Sequence, residues 1–184
     1  MDHILLEGAK VEVNVKSSDG RTPLCWAVER GMLAVVKHLV LHHHVKVECD
    51  EMGHNAICSA ACFERIEVMD FFIQHFGRRI VDKPCDNDDG SLLLHAICNH
   101  QREMTEWLIN DAGANVKSAR LAGGFPALHY AALKGLSHIC QILLSAGMPV
   151  DVRDSGNCTP LHAACNGRRQ SPQDERLAIV RLLM

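Results

Sequence analysis

A short segment recurs five times along the 184-residue chain, and its spacing constrains the fold more than any other feature. The copies begin at positions 22, 55, 92, 126 and 159, so the steps between them are 33, 37, 34 and 33 residues. A regular period in the range of about 20–50 residues is typical of stacked repeat units rather than of one globular core. The copies are Thr22–Val28, Asn55–Ala61, Leu92–Cys98, Pro126–Ala132 and Thr159–Cys165.

Each copy predicts two short helices joined by a turn. Thr22 suits the N-cap position of a first helix, and Pro23 suits its first turn, where a missing N–H does no harm. Gly31 then ends this helix, and apolar residues at helical spacing over 35–40 predict a second helix. Because one such pair cannot bury its own apolar face, the units must stack in a linear array.

A period near 33 residues around a T-P-L-H-x-A core resembles the ankyrin repeat, and the resemblance covers nearly the whole chain. It implies an all-α solenoid of stacked helix-turn-helix units with short β-hairpin or loop fingers. Both ends look cut within a helix, so we expect a fragment of a larger ankyrin-repeat protein, with atypical capping repeats as the alternative. The expected units are a partial repeat over 1–16, repeats over about 17–49, 50–86, 87–120 and 121–153, and a truncated repeat over 154–184.

Three departures from the pattern carry expectations of their own. Glu64 stands where the second repeat should have its inter-helix glycine, and the third copy lacks Thr-Pro, so its first helix should lack the usual cap. We therefore expect the second and third repeats to be the least regular. The insertion over 167–176 in the fifth repeat is interpreted as a surface loop that leads into the second helix.

Composition excludes several classes of function. Apolar residues make up 47% of the chain, enough for a core, while a net charge of −3 lacks the basic stripe typical of nucleic-acid binding or a polybasic membrane patch. The nine cysteines form no regular framework of pairs, so reduced thiols and a cytoplasmic or nuclear location are expected. No apolar run of 18 residues predicts a membrane span.

The histidines and cysteines invite a search for chemistry. The resemblance implies that His95, His129 and His162 share one repeat position and bond to nearby backbone, and Cys25 and Cys58 at this position are predicted to pack.

His54, Cys58 and Cys62 share one helix face, but no second ligand pair is placed to complete a structural zinc site. The run 42–44 of three histidines is interpreted as a solvated turn, with weak metal binding as the alternative.

No catalytic pattern stands out either. The chain has neither a phosphate-binding loop nor a G-x-S-x-G elbow, and Cys165 with His162 lacks a third residue to orient the base. We therefore predict no enzyme activity, no cofactor and no metal. The resemblance also implies a candidate site for asparaginyl hydroxylation at Asn14, because Leu6, Glu12 and Val13 precede it in the favoured order, although hairpin geometry alone explains such an asparagine.

The resemblance implies that partners bind to the hairpin tips and to the exposed side of the first helices. Acidic tips near the centre and apolar residues towards the C-terminal end predict a partner segment with basic residues and an apolar anchor. Phe125 is expected to be exposed and Trp26 and Tyr130 to be buried, while Phe63 either binds or fills a gap. The predicted binding residues are Arg21, Glu51, Met52, Phe63, Asp88, Asp89, Phe125 and Leu133.

The predicted function is a monomeric protein–protein interaction module within an intracellular scaffold, adaptor or multidomain regulator. A spacer and a regulatory segment that docks in cis on an enzyme domain are the alternatives, and a small-molecule site is the least favoured.

Overall fold

The computed structural model describes residues 12–43, 45, 47, 55–82, 91–121, 124–167 and 173–184. Two 3₁₀ turns cover Arg78–Ile80 and Val116–Ser118, and a short antiparallel pair joins β1 (Arg120–Leu121) to β2 (Phe125–Pro126). Five helix pairs make up the remaining regular structure of the described residues. They are α1 (Pro23–Glu29), α2 (Leu33–His42), α3 (Ala56–Cys62), α4 (Ile66–Phe76), α5 (Leu92–Cys98), α6 (Arg102–Asn110), α7 (Ala127–Lys134), α8 (Ser137–Ser145), α9 (Pro160–Asn166) and α10 (Gln173–Leu183).

The helices form two layers. The first helix of each repeat packs on the first helix of the next, from α1 through α3, α5 and α7 to α9. Among the second helices, α2 packs on α4, α6 on α8 and α8 on α10, and each second helix contacts the first helix of its own repeat. This arrangement confirms the predicted all-α ankyrin solenoid. No helix in the described ranges is long and apolar enough to cross a membrane.

Small buried side chains allow the first helices to approach one another closely. One alanine recurs at the same place in all five first helices and is buried in each, because a larger side chain there would push the neighbouring helix away. Larger aliphatic side chains such as Leu24, Met104 and Leu143 are also buried in the core. The recurring residues are Ala27, Ala60, Ala96, Ala131 and Ala164.

The N-caps define the true register of the repeats. The Thr22 hydroxyl accepts the Cys25 N–H at 3.4 Å, and the Asn55 side chain accepts the Cys58 N–H at 2.9 Å. Ser91 does the same in the third repeat, where its hydroxyl accepts the Leu94 N–H at 3.4 Å. The expectation of an uncapped third repeat was therefore wrong, and this copy begins at Ser91 rather than at Leu92. Serine caps a helix as well as threonine does.

The turn between the helices keeps one geometry even where glycine is missing. Nine residues after the cap the backbone is left-handed, with φ of 68° at Gly31, 56° at Glu64, 60° at His100 and 79° at Gly135. A side chain is strained in this region, so Glu64 and His100 must be held there by the surrounding structure. The second and third repeats thus keep the common turn geometry, and the expectation that they are the least regular stays a prediction, because residues 83–90 between them lie outside the described ranges.

Candidate functional site

One row of side chains faces outward from the first-helix layer. We call it the first-helix face and define it by the residues four, seven and eight positions after each N-cap. The first four repeats contribute Trp26, Glu29, Arg30, Ser59, Cys62, Phe63, His95, Cys98, Asn99, Tyr130, Leu133 and Lys134. Ser59 is buried among them, and the others are exposed or half-buried.

Trp26 is the largest apolar group on this face. Its side chain is 42% exposed, which corrects the expectation that it lies in the core. The guanidinium carbons of Arg21 and Arg30 lie 5.4 Å and 5.9 Å from the ring centroid, within the range of a cation–π contact. Arg21 also donates to Glu29 at 3.0 Å and pairs with Asp19 at 3.3 Å. Arg21 therefore holds Trp26 in place and neutralises Glu29 beside it.

Phe63 lies one repeat further along, at the C-cap of α3, and is 43% exposed. This placement argues against a gap-filling role for the ring. Hydrogen bonds also join the first and second repeats, because Arg65 donates twice to the carbonyl of Glu29, at 3.0 Å and 2.8 Å. Phe63 and Trp26 are therefore two exposed aromatic groups on adjacent, rigidly connected repeats.

Tyr130 repeats the pattern of Trp26 three repeats later. Lys134 lies 5.5 Å above its ring, as Arg30 does for Trp26, and the Tyr130 side chain is half-buried rather than fully in the core. The hydroxyl donates to the Cys98 carbonyl at 3.5 Å. Burial raises the pKa of Tyr130 and also that of the Cys98 thiol, so both groups stay protonated at neutral pH. A protonated thiol is a poor nucleophile, which fits a binding surface better than a reactive site.

The other predicted binding residues occupy different settings. Phe125 was expected to project from a finger tip, but it belongs to β2, is half-buried, and has its ring centroid 5.3 Å from that of His129. Leu133 is half-buried and packs against the core. Leu133 therefore shares the first-helix face with Trp26 and Phe63 without being fully exposed, whereas Phe125 lies off that face. Four further predicted residues lie outside the described ranges: Glu51, Met52, Asp88 and Asp89.

The histidines divide into three roles. His129 is fully buried and its Nε2–H donates to the Cys158 carbonyl at 2.9 Å, which confirms a structural link to the next repeat. His162 instead accepts the Thr159 N–H through Nδ1 at 3.2 Å and completes a capping box. The assignment of His95 to the same position was wrong, because the Ser91 cap places it on the first-helix face and leaves Leu94 at the buried position.

The cysteines and Asn14 contribute little reactive chemistry to the described residues. Cys25 and Cys58 are buried as predicted, and burial raises the pKa of Cys140 to about 12. Within the described residues, no group of three His, Cys, Asp or Glu side chains could hold a metal ion, and His54 of the proposed trio lies outside them. Asn14 is half-buried in a turn, and its hydroxylation stays a prediction.

A linear stack of two-helix units with a constant backbone and varied side chains along one face defines a helical-repeat scaffold. The chain belongs to the ankyrin-repeat family, because the family model of ankyrin repeats matches residues 2–83, 29–120 and 92–184. Ankyrin repeats are protein-interaction modules, and this chain is a module of that kind.

Curated relatives share parts of the array. Protein phosphatase 1 regulatory subunit 12A from Mus musculus and from Rattus norvegicus is 37% identical over 65 residues, which is 35% of this chain and 6% of that protein. "Putative palmitoyltransferase ZDHHC13" from Danio rerio is 29% identical over 143 residues, 78% of this chain and 22% of that protein. The chain therefore spans a small part of the length of the relatives it matches.

A solved structure shows the same fold. One chain from the complex of a predatory endopeptidase of Bdellovibrio bacteriovorus with an immunity protein superposes with a TM-score of 0.70. The alignment covers 94% of this chain and 86% of that chain at 23% identity. At this level of identity the likeness concerns the fold alone.

Proposed function

We propose that the chain binds a segment of a partner protein along the first-helix face, with the fingers on either side contributing further contacts. The observation that carries the proposal is the pair of exposed aromatic side chains, Trp26 and Phe63, on adjacent repeats. Large aromatic groups on an otherwise polar surface are the residues that most often supply the binding energy of an interface. A stacked backbone holds both rings in place, so little order has to be created on binding.

Charge on this face indicates what the partner segment presents to it. Arg30 and Lys134 stand beside Trp26 and Tyr130, while the carboxylate of Glu29 is already paired with Arg21. An acidic residue next to an apolar anchor in the partner would complement this surface. The predicted basic residues of the partner would face the acidic finger residues around 50–51 and 86–89, which lie outside the described ranges.

A pair of matched double variants tests the proposal. Trp26→Glu with Phe63→Glu places two acids on the first-helix face, and Val35→Glu with Leu41→Glu places two acids on α2 in the second-helix layer. The control side chains are similarly exposed, at 38% and 49%, against 42% and 43% for the test pair. If each aromatic group contributes about 2 kcal/mol, losing one of them weakens binding roughly thirty-fold.

The readout is photo-cross-linking followed by affinity measurement. A photoreactive amino acid at position 63 should capture a protein that one at position 41 does not, and the captured protein should lose affinity only for the Trp26, Phe63 variant. Equal capture from both positions, or equal loss in both double variants, would overturn the proposal. Circular dichroism must show that both variants keep their helices. Confocal imaging of the tagged chain would check the proposed cytoplasmic or nuclear location.

A second candidate is a regulatory segment that docks in cis on an enzyme domain of a longer chain. The observation that favours it is the similarity over 143 residues to a protein whose name describes a palmitoyltransferase. In this case the Trp26, Phe63 variant would change the activity of that longer chain, and position 63 would cross-link within the same polypeptide. Neither proposal assigns a catalytic residue, a metal or a cofactor to the described repeats.

A further inference from the structure

Three histidines come together at the C-terminal end of α2, on the layer opposite the first-helix face. The Nε2 atoms of His38 and His43 lie 3.3 Å apart, and the ring centroids are 5.0 Å apart. The ring of His42 lies 5.0 Å from that of His38. The run 42–44 is visible in the sequence, whereas His38 joins it only through α2, because it precedes His42 by one helical turn.

The contact between His38 and His43 depends on how the helix ends. Residues five apart on a regular helix point in different directions, but His43 is the C-cap, with φ of −118° and ψ of 6°. This departure from helical geometry turns its ring back over the last turn. Because the two Nε2 atoms are closer together than the two ring centroids, both nitrogens face the space between the rings.

The separation of these nitrogens matches that of two ligands on one metal ion. Imidazole nitrogens bind zinc at about 2.0–2.1 Å, and a tetrahedral angle then places two of them about 3.3–3.4 Å apart. The observed distance is 3.3 Å. Without a metal, the contact between the two Nε2 atoms is a single N–H···N hydrogen bond, in which one ring donates and the other accepts.

The position on the helix also favours a cation. His42 is the last residue of α2 and His43 its C-cap, where the unpaired carbonyl groups concentrate the negative end of the helix dipole. His38 and His42 are exposed and His43 is partly exposed, so a dication could keep water on its remaining coordination positions.

We propose that His38 and His43 bind a transition-metal dication of the zinc, nickel or copper class through their two Nε2 atoms. Imidazole nitrogen is a preferred ligand of these metals. His42 stands next to the site as a third imidazole, while water or a ligand from another molecule completes the coordination. The site is open, because it rests on two protein ligands and no group of three His, Cys, Asp or Glu side chains of the described residues could hold a metal ion.

The test titrates the purified, metal-free chain with Zn²⁺ and with Ni²⁺ in isothermal calorimetry and in NMR spectra of the histidine rings. We expect one equivalent of metal to shift or broaden the ring signals of His38 and His43. His38→Ala and His43→Ala should each weaken binding by at least about ten-fold, since even the loss of a residue that merely supports a ligand has an effect of that size. His100→Ala is the matched control, because this exposed histidine lies in a turn and has no ring contact with another histidine of the described residues.

The nine cysteines of the chain could also take up zinc, and the variants separate the two sources. Metal held by thiols would bind equally well to all three variants and would leave the ring signals of His38 and His43 unmoved, and this outcome would overturn the proposal. Equal affinity of the unchanged chain and His38→Ala would overturn it as well. Circular dichroism checks that each variant keeps its helices.

Discussion

Glu64 joins two repeats by capping a helix of the next one, although its own backbone is strained. Replacing it with different residues separates the loss of the cap from the relief of the strain. Its carboxylate accepts the N–H groups of Glu103 at 2.9 Å and of Met104 at 3.2 Å, in the first turn of α6, one repeat further along the chain. Those N–H groups have no partner within their own helix. Gln101 occupies the N-cap position of α6, but its side chain makes no capping bond and its amide N–H donates instead to the Cys62 carbonyl. Glu64 therefore caps the neighbouring helix while its own backbone is left-handed, with φ of 56°.

The expected changes in the free energy of unfolding follow from the cap and from the left-handed backbone. Glu64→Ala removes the cap, worth about 1 kcal/mol, and a charge at the positive end of the helix dipole, worth about 0.5 kcal/mol, so it should destabilise by about 1.5 kcal/mol. Glu64→Gly loses the same cap but relieves a left-handed strain of roughly 1 kcal/mol, for a net loss near 0.5 kcal/mol. His100→Gly relieves strain alone at the equivalent turn and should stabilise by roughly 1 kcal/mol. Glu64→Gln keeps a hydrogen-bond acceptor and should therefore lose less stability than Glu64→Ala.

Urea denaturation followed by circular dichroism measures the four variants. In a thermal scan Glu64→Ala should lower the midpoint by about 3–6 °C, for a domain of this size. The slope of the urea transition must stay constant, because a change would mean that the repeats no longer unfold together. A Glu64→Ala variant as stable as the unchanged chain would refute the capping role of Glu64, and a Glu64→Gly variant less stable than Glu64→Ala would refute the backbone strain.

Three further predictions concern contacts between repeats. His129→Phe removes the bond to the Cys158 carbonyl and leaves that carbonyl without its partner, so it should cost about 1–3 kcal/mol and speed hydrogen exchange around Cys158. The Nδ1 atom of His129 has no hydrogen-bond partner in the described region, because Pro126 stands at the cap without an N–H or hydroxyl. Pro126→Thr should supply both groups and raise the free energy of unfolding by about 1 kcal/mol in urea denaturation. An unchanged urea midpoint would contradict this prediction. His138 donates to Glu106 at 2.7 Å, and this hydrogen bond lowers the pKa of Glu106. The stabilisation is thus present above the usual carboxyl pKa and is lost as pH falls through the lowered value, so His138→Ala should reduce the acid-induced drop in melting temperature.

Local sequence was sufficient to predict the repeating unit. The period, the caps such as Thr22 and the buried alanine of each first helix depend on contacts within a few residues, and these contacts repeat in every unit. The left-handed turn was also visible wherever glycine marks it, at Gly31 and Gly135. Stacking then follows, because a single helix pair leaves an apolar face uncovered. The ankyrin fold and its general use in protein binding could therefore be predicted from the chain alone.

The candidate sites depend on contacts between distant parts of the chain. The carboxylate of Glu64 meets α6 39 residues further on, and no local pattern reveals that pairing. Trp26 was assigned to the core because its position in the repeat usually holds a buried aliphatic residue, but the helix places it four residues after the cap, on the outer face beside Arg30. Phe125 was assigned to the surface by its glycine neighbours, yet pairing of β1 with β2 turns it towards His129. Sequence determined the stack because its interactions are local and periodic, and only the tertiary structure decided which side chains remain exposed, because that depends on neighbours one repeat away.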